Sequence, residues 1–274
     1  MNLWPFVTKQ TPCPICGKTD WCSLGDSKAK CMRVESQHPC KSGGWVHDYN
    51  GKVVSLPPKR MQKVVENVAP FMERLHAGWL SFTQPAQITA LASCLGVMGE
   101  ALESLDTTWA APNNAWAFPM RDDALRIIGI RLRSLGGAKW AVTGSRQGLF
   151  IPTHPKPSEP AYICEGPTSC AALLSLGLFA IGRGSCNTGG TLLRDYLRKV
   201  GIYRAVIIAD NDRKVRPDGS AWNPGVEGAE KLGKELGIRY VVWVAIPKDV
   251  RDYIANGGTR AMIESDTKGM IWKK

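Results

Sequence analysis

From Ala161 to Ala245 the chain alternates short apolar runs with stretches whose apolar residues recur at helical spacing. "AYIC" (161–164) predicts a strand and residues near 168–176 a helix; "LFAIG" (178–182) predicts a strand and "TLLRDYLRKV" (191–200) a helix. "RAVIIA" (204–209), "GVEGAEKLGKEL" (225–236) and "RYVVWVA" (239–245) continue as strand, helix and strand. Apolar runs with little alternation suit strands covered on both faces. Regular β-α alternation predicts an α/β fold with a mostly parallel sheet and helices on both faces. Such sheets bind ligands beyond the carboxyl ends of their strands, and Glu165, Asp210 and Asp212 fall at those ends.

Upstream the pattern changes. "AWAFPMRDDALRIIGIRLRSLGGAKWAVTGSRQGLFIP" (115–152) reads as strands separated by turns at "DD" and "GG", and "THPKPSEP" (153–160) as a proline-rich hinge. Before it, Val64, Val65, Val68, Phe71 and Leu75 have helical spacing, interrupted at Pro70. "SLPPKR" (55–60) breaks regular structure ahead of that segment. The expected division is a small cysteine-rich domain at 1–55, a helical connector at 56–112, a strand-rich basic subdomain at 113–157 and the α/β domain at 158–274.

Three carboxylates delivered to one sheet edge repel one another unless a cation holds them. Mg²⁺, or Mn²⁺ in its place, suits such hard oxygen donors and keeps positions open for water and phosphate oxygens. Gly166 would let the backbone turn sharply after Glu165. Near the amino terminus, Cys13 and Cys16 have the C-x-x-C spacing of a zinc knuckle. A tetrahedral site needs two more ligands, available from Cys22, Cys31, His38, Cys40 and His47. So short a segment has almost no apolar core, so zinc would supply much of its folding energy. Cys94, Cys164, Cys170 and Cys186 lie among apolar residues and are read as buried thiols.

Lysine and arginine total 35 against 24 acids, a net charge of +11, which suits an anionic partner such as nucleic acid. Residues 121–150 carry six basic side chains and two acidic ones. Arg131 and Arg133 alternate with apolar residues, so one strand face can carry both; with Arg126, Lys139 and Arg146 they form a candidate track for a phosphate backbone. Trp140 is read as a core residue. Nine cysteines behind a start without an apolar signal segment indicate a reducing cytosol. No apolar run approaches membrane-spanning length, so a cytoplasmic protein without membrane contact is expected.

"EGPTSCAALLSLG", "IIADNDRK", "NPGVEGAEKLGKEL" and "PKDVRDYIANGG" together resemble the Toprim domain, which is shared by bacterial-type primases, topoisomerases, some nucleases and recombination mediators. That resemblance implies metal-binding roles for Glu165, Asp210 and Asp212, with Asp249 or Asp252 as a supporting acid. Ser169 stands where many primases carry a further aspartate. "CKSGGWVHDY" (40–49) is similar to the end of the zinc ribbon of bacterial and phage primases. This favours Cys40 as the zinc ligand beside Cys13, Cys16 and Cys31, with His47 and then Cys22 in reserve, although the gap from Cys31 to Cys40 is longer than those ribbons carry.

A zinc ribbon, a basic strand-rich unit and Toprim, in that order, resemble a DNA primase of the bacterial, phage or plasmid type. The resemblance implies primer synthesis on single-stranded DNA template from nucleoside triphosphates, in the replication of a phage, plasmid or mobile element. Structural Zn²⁺ and catalytic Mg²⁺ or Mn²⁺ are the implied cofactors. With no G-x-x-x-x-G-K-[ST] in the sequence, helicase activity is expected from a separate polypeptide. The alternatives are a Toprim-type nuclease and a non-catalytic nucleic-acid-binding protein of replication or recombination.

Overall fold

The computed structural model describes residues 4–40, 43–49, 68–185, 188–216 and 218–274. The chain forms two compact units, Met1–Glu66 and Asn67–Lys274. In the first, β1 (Ser23–Leu24), β2 (Lys28–Cys31) and β3 (Trp45–Asp48) make an antiparallel sheet in the order β1-β2-β3. Its buried apolar cluster is Val7 with Cys13, Cys22 and Cys31. That is too little burial to hold a domain this small without a further staple.

The second unit opens with three helices, α1 (Ala69–Leu80), α2 (Pro85–Leu95) and α3 (Gly99–Ser104). Pro70 does not interrupt α1 but stands in its first turn, where a missing N–H costs nothing. Phe71 is 52% exposed, and the buried side of α1 is Ala69, Met72 and His76 instead. Val64 and Val65 lie outside the described residues.

Antiparallel strands follow: β4 (Thr108–Ala110), β5 (Ala115–Arg121), β6 (Ile127–Ser134), β7 (Lys139–Ala141) and β8 (Leu149–Phe150). Then β9 (Ala161–Glu165), α4 (Pro167–Ser175), β10 (Ala180–Arg183), α5 (Gly190–Lys199) and β11 (Arg204–Ala209) alternate as the apolar pattern predicts. A two-strand hairpin, β12 (Lys214–Val215) with β13 (Ala221–Trp222), precedes α6 (Pro224–Leu236), β14 (Arg239–Val244), α7 (Val250–Ala255) and α8 (Arg260–Lys268).

The main sheet has nine strands, eight of them in the order β14-β11-β9-β10-β8-β5-β6-β7, with β4 paired to β5. β14, β11, β9 and β10 are mutually parallel. The short β8 pairs antiparallel with β10 on one side and with β5 on the other, so strands from both sides of residues 153–160 share one sheet. Each face of the parallel half is covered. Tyr162, Cys164, Val206, Ile208, Val241 and Trp243 meet Cys170 and Leu173 of α4, Val250 of α7 and Ile263 of α8. Ile163, Ile207 and Val242 meet Leu193 and Leu197 of α5 and Leu232 and Leu236 of α6 on the other. Met72 of α1 packs on Ile127, Ile130 and Leu132 of the antiparallel half.

Two burial expectations need correction. Trp140 is 37% exposed because β7 is a three-residue edge strand with all of its residues outside the core. Cys94 is exposed near the end of α2, whereas Cys164 and Cys170 are buried; Cys186 lies outside the described residues. No helix among the described residues is long and apolar enough to cross a membrane.

Gly233 sets how closely α6 approaches β14, since a Cβ there would stand 2.2 to 2.5 Å from carbons of the Tyr240 ring. Gly233→Ala is expected to cost about 1–3 kcal/mol by overpacking. The expected observation is a lower urea midpoint with an unchanged slope.

Candidate active site and metal centre

Glu165 is the last residue of β9, and Asp210 directly follows β11. Ile163 is in register with Ile207, so the two acids leave neighbouring parallel strands at nearly one level. Gly166 makes the turn after Glu165 with φ +80° and precedes α4, whose first residue is Pro167. A residue other than glycine strains at that φ. Asp249 arrives by the loop after β14 and caps α7 by accepting a 2.9 Å bond from the Asp252 amide. Glu165, Asp210 and Asp249 line one cleft of about 240 Å³. Asp212 and Asp252 are not in its lining.

Asp210 is the most buried of these acids to show a shift. Burial pushes the Asp210 carboxyl up to about 7, helped by the charges of Glu165, Asp249 and Asp212 and opposed by Lys139. Their oxygens are more open than the thiols described below: among the described residues, a group of three or more possible ligand atoms within 4.8 Å occurs at the cysteines alone. Mg²⁺ commonly takes one or two carboxylates directly and retains water. An oxygen-only donor set fits Mg²⁺ or Mn²⁺ on those terms.

The opposite charge lines the same cleft. Arg131 and Arg133 of β6, Lys139 of β7 and Arg251 of α7 all contribute to it. Arg133 lies directly opposite Lys139 across the β6–β7 ladder, a pairing of like charges that weakens a sheet. Burial and then Arg251 hold the Arg133 guanidinium below its ordinary pKa. Such crowding suits a polyanion placed among these groups. The remaining predicted cations are elsewhere. Arg126 pairs with Asp122 at 2.7 Å in the β5–β6 turn, and Arg146 lies in the loop after β7; neither lines the cleft. Arg121 is buried and paired with Asp106, so its charge serves the fold.

Asn211 and Asn223, not singled out by sequence reasoning, fix the acidic loops. Asn211 donates its amide N–H to the Lys248 carbonyl at 2.7 Å and its Nδ2 to the Pro247 carbonyl at 3.1 Å. Its Oδ1 accepts from Asn223 Nδ2 at 3.1 Å, and Asn223 caps α6. The residue between Asp210 and Asp212 therefore ties their loop to the one carrying Asp249. Gly225 closes the arrangement, because a Cβ there would meet the Asp210 carbonyl oxygen at 2.2 Å. Arg251, in "KDVRDY", carries no sequence signal apart from its place beside Asp249.

In the first unit the sulfurs of Cys13, Cys16, Cys22 and Cys31 all lie within 4.8 Å of one another. Cys22, not Cys40, completes the group. Ser23 pairs with Lys30, so Cys22 and Cys31 face each other at the open end of the β1–β2 hairpin. Cys40 instead sits in a turn closed by hydrogen bonds with Gly43 and Gly44, and His47 Nε2 is 2.9 Å from the Val34 carbonyl. Zinc–sulfur bonds of about 2.3 Å set tetrahedral sulfurs about 3.8 Å apart; Cys16 and Cys22 are at 3.7 Å. Burial pushes the Cys13 thiol up to about 12, so ionising all four together calls for a cation. The set fits zinc.

A sheet that is parallel at one end and antiparallel at the other, with acids at the strand ends and bases on the antiparallel wing, defines the class of fold. Solved primase cores share the fold. The E. coli primase catalytic core is 13% identical and matches with TM-score 0.51 over 75% of this chain and 80% of that one. A DnaG primase catalytic domain bound to ssDNA is 14% identical, TM-score 0.51, over 74% and 80%. The Aquifex aeolicus primase, comprising zinc-binding and RNA polymerase domains, is 16% identical, TM-score 0.50, over 73% and 61%. No protein-family model matches the sequence, and no curated protein matches it. What the chain shares with these structures is the fold of a bacterial primase catalytic core.

Zinc content separates the two ribbon assignments: Cys22→Ser should lose bound zinc, measured by atomic absorption on purified protein, while Cys40→Ser should keep one equivalent. Asp210 gives a pH test. Its pKa in the folded chain lies above the ordinary 3.8, so between those values the folded state holds a proton that the unfolded state has released. Stability therefore declines as pH rises through that window, and the loss is complete above about 7. Without added divalent ions, Asp210→Asn should melt higher than the unsubstituted protein at pH 8, with the difference vanishing by about pH 4.

Proposed function

We propose that the protein is a DNA primase that synthesises short primers on single-stranded DNA by metal-dependent nucleotidyl transfer. The observation that carries this is the single cleft in which Glu165, Asp210 and Asp249 share space with Arg131, Arg133, Lys139 and Arg251. Primer extension joins a 3′ hydroxyl to the α-phosphorus of a nucleoside triphosphate and releases pyrophosphate. It needs negative charge neutralised and two reactants aligned. The basic wall answers the first need. Guanidiniums of Arg131 and Arg133, fixed on one strand face, engage phosphate oxygens of the triphosphate or the template, and Lys139 adds a mobile point charge.

Glu165, Asp210 and Asp212, supported by Asp249, are the residues that would hold Mg²⁺ or Mn²⁺. A bound divalent ion supplies Lewis-acid polarisation of phosphoryl oxygens and lowers the pKa of a coordinated hydroxyl. Asn211 and Gly225 keep the acidic loops in place, and Gly166 lets Glu165 face the cleft without strain. In the first unit Cys13, Cys16, Cys22 and Cys31 would hold a structural zinc, leaving the ribbon's surface to select or hold the template. The Toprim assignment, a separate helicase partner and a role in the replication of a phage, plasmid or mobile element belong to the same proposal, on the motif likeness in "EGPTSC", "ADND" and "NPGVEGA".

Single-stranded DNA incubated with labelled nucleoside triphosphates and Mg²⁺ or Mn²⁺ should yield short labelled oligonucleotides. Asp210→Ala should reduce their formation by at least about a hundredfold, and Arg133→Ala by about tenfold or more. Equal product from Asp210→Ala refutes the proposed site. Loss of intact DNA with no incorporation assigns the cleft to a nuclease instead.

A further inference from the structure

Between Asp212 and α6 the chain makes the β12–β13 hairpin, and a second concavity opens beneath it, about 510 Å³ in volume. Its floor is apolar: Val226 of α6, Val244 at the end of β14 and Ile246, which is 62% exposed. Asn211, Asn223 and Trp222 line its sides, the two asparagines bonded to each other. Arg213 and Lys214 also line it. Asn211 belongs at once to this groove and to the acidic loop between Asp210 and Asp212, so the groove adjoins the carboxylates along the chain.

Two-residue strands do not hold a hairpin by themselves. Here the Trp222 ring has Lys214 Nζ at 5.8 Å and the Arg216 guanidinium at 5.5 Å, and Arg216 also pairs with Glu227 of α6 at 2.7 Å. Arg216 thus fastens the hairpin to the helix. Arg213 and Lys214 are different. Both are exposed, and among the described residues neither has a carboxylate at ion-pair distance. Arg213 Nε donates to Asn211 Oδ1 at 3.3 Å, which leaves the rest of its guanidinium facing outward; an apolar floor with two exposed cations at its rim matches the parts of one nucleotide, a base and a phosphate.

We propose that this groove binds a nucleotide unit of single-stranded nucleic acid, its base over Val226, Val244 and Ile246 and flanking phosphates on Arg213 and Lys214. The site rests on the reading of the chain as one that acts on nucleic acid, and extends it: the strand engaged by the basic wall of the cleft would have a second hold beyond the carboxylates.

The test is binding of a fluorescein-labelled single-stranded oligothymidylate to the full chain, followed by anisotropy over a potassium chloride series without nucleotides or added divalent ions. Each phosphate contact to a single strand contributes about 0.7 to the slope of log K against log salt. Arg213→Ala/Lys214→Ala should lower the slope by about 1.4 and weaken binding roughly tenfold at moderate salt. Ile246→Glu, at an exposed position that tolerates a polar side chain, should weaken binding by about fivefold or more through the lost base contact, with an unchanged melting temperature. An unchanged slope in the double variant overturns the site, as does unaltered affinity in Ile246→Glu. Either result beside normal primer synthesis by the unsubstituted protein removes the groove alone; both losses of binding with no primer synthesis by that protein keep the groove and remove the polymerising activity.

Discussion

The parallel pairing of β11 with β9 on one side and β14 on the other is the constraint on which the candidate site depends. Three strands run the same way, and their carboxyl ends lie together at one edge. Glu165 ends one of these strands, Asp210 directly follows another and Asp249 comes a few residues after the third, although the three are far apart in sequence. Helices on both faces bury the strands and hold this edge rigidly, as the paired clusters around Ile207 and Ile208 illustrate. Burial in such a scaffold, with Glu165 and Asp249 held nearby, raises the Asp210 carboxyl to about 7. Stability is given up where charge is gathered, a frequent feature of functional sites.

A second consequence comes from β8. Only Leu149 and Phe150 form it, but it joins the parallel strands to the antiparallel wing through Gly182↔Phe150 and Arg121↔Leu149. Glycines permit that join. A Cβ on Gly148 would press on the Arg121 backbone, and one on Gly182 on the Gly166 carbonyl at 2.7 Å. Because the sheet is continuous, Arg131 and Arg133 are set against Glu165 by backbone hydrogen bonding and not by a flexible hinge. Acid and base walls are thereby positioned by one rigid element, as phosphoryl chemistry requires when alignment supplies much of the rate.

Much of this was legible in the chain. The β-α alternation after Ala161 has strong periodicity, and the strand ends carrying Glu165 and Asp210 could be read directly, while Asp249 was suggested, beside Asp252, by motif likeness alone. Arg131 and Arg133 share a face because strand side chains alternate, which sequence alone specifies. What failed to show depends on pairings between distant segments. Trp140 looks like a core residue until β7 is known to be an edge strand. Arg126 looks like part of the basic track until the β5–β6 turn brings Asp122 beside it. Pro70 looks like a helix breaker within a run of valines, whereas the helix begins at Ala69.

The cysteine ribbon shows the same limit in its sharpest form. Spacing alone offered five candidates for the last two zinc ligands, and motif likeness favoured Cys40. The β1–β2 hairpin decides the geometry, because the register Ser23↔Lys30 places the residues just outside it, Cys22 and Cys31, opposite one another. Before β1 in the chain, the Cys16–Gly17 turn returns the C-x-x-C pair to that hairpin end, with Gly17 at φ +68° and its N–H bonded to the Cys13 carbonyl at 2.8 Å. A turn and a hairpin each deliver two thiols, the usual division of labour in a closed tetrahedral zinc site. Cys40 lies in the connection between β2 and β3, in a turn whose hydrogen bonds run to Gly43 and Gly44. A ligand there would have to draw that turn away from its own backbone bonds, while Cys22 needs no rearrangement at all.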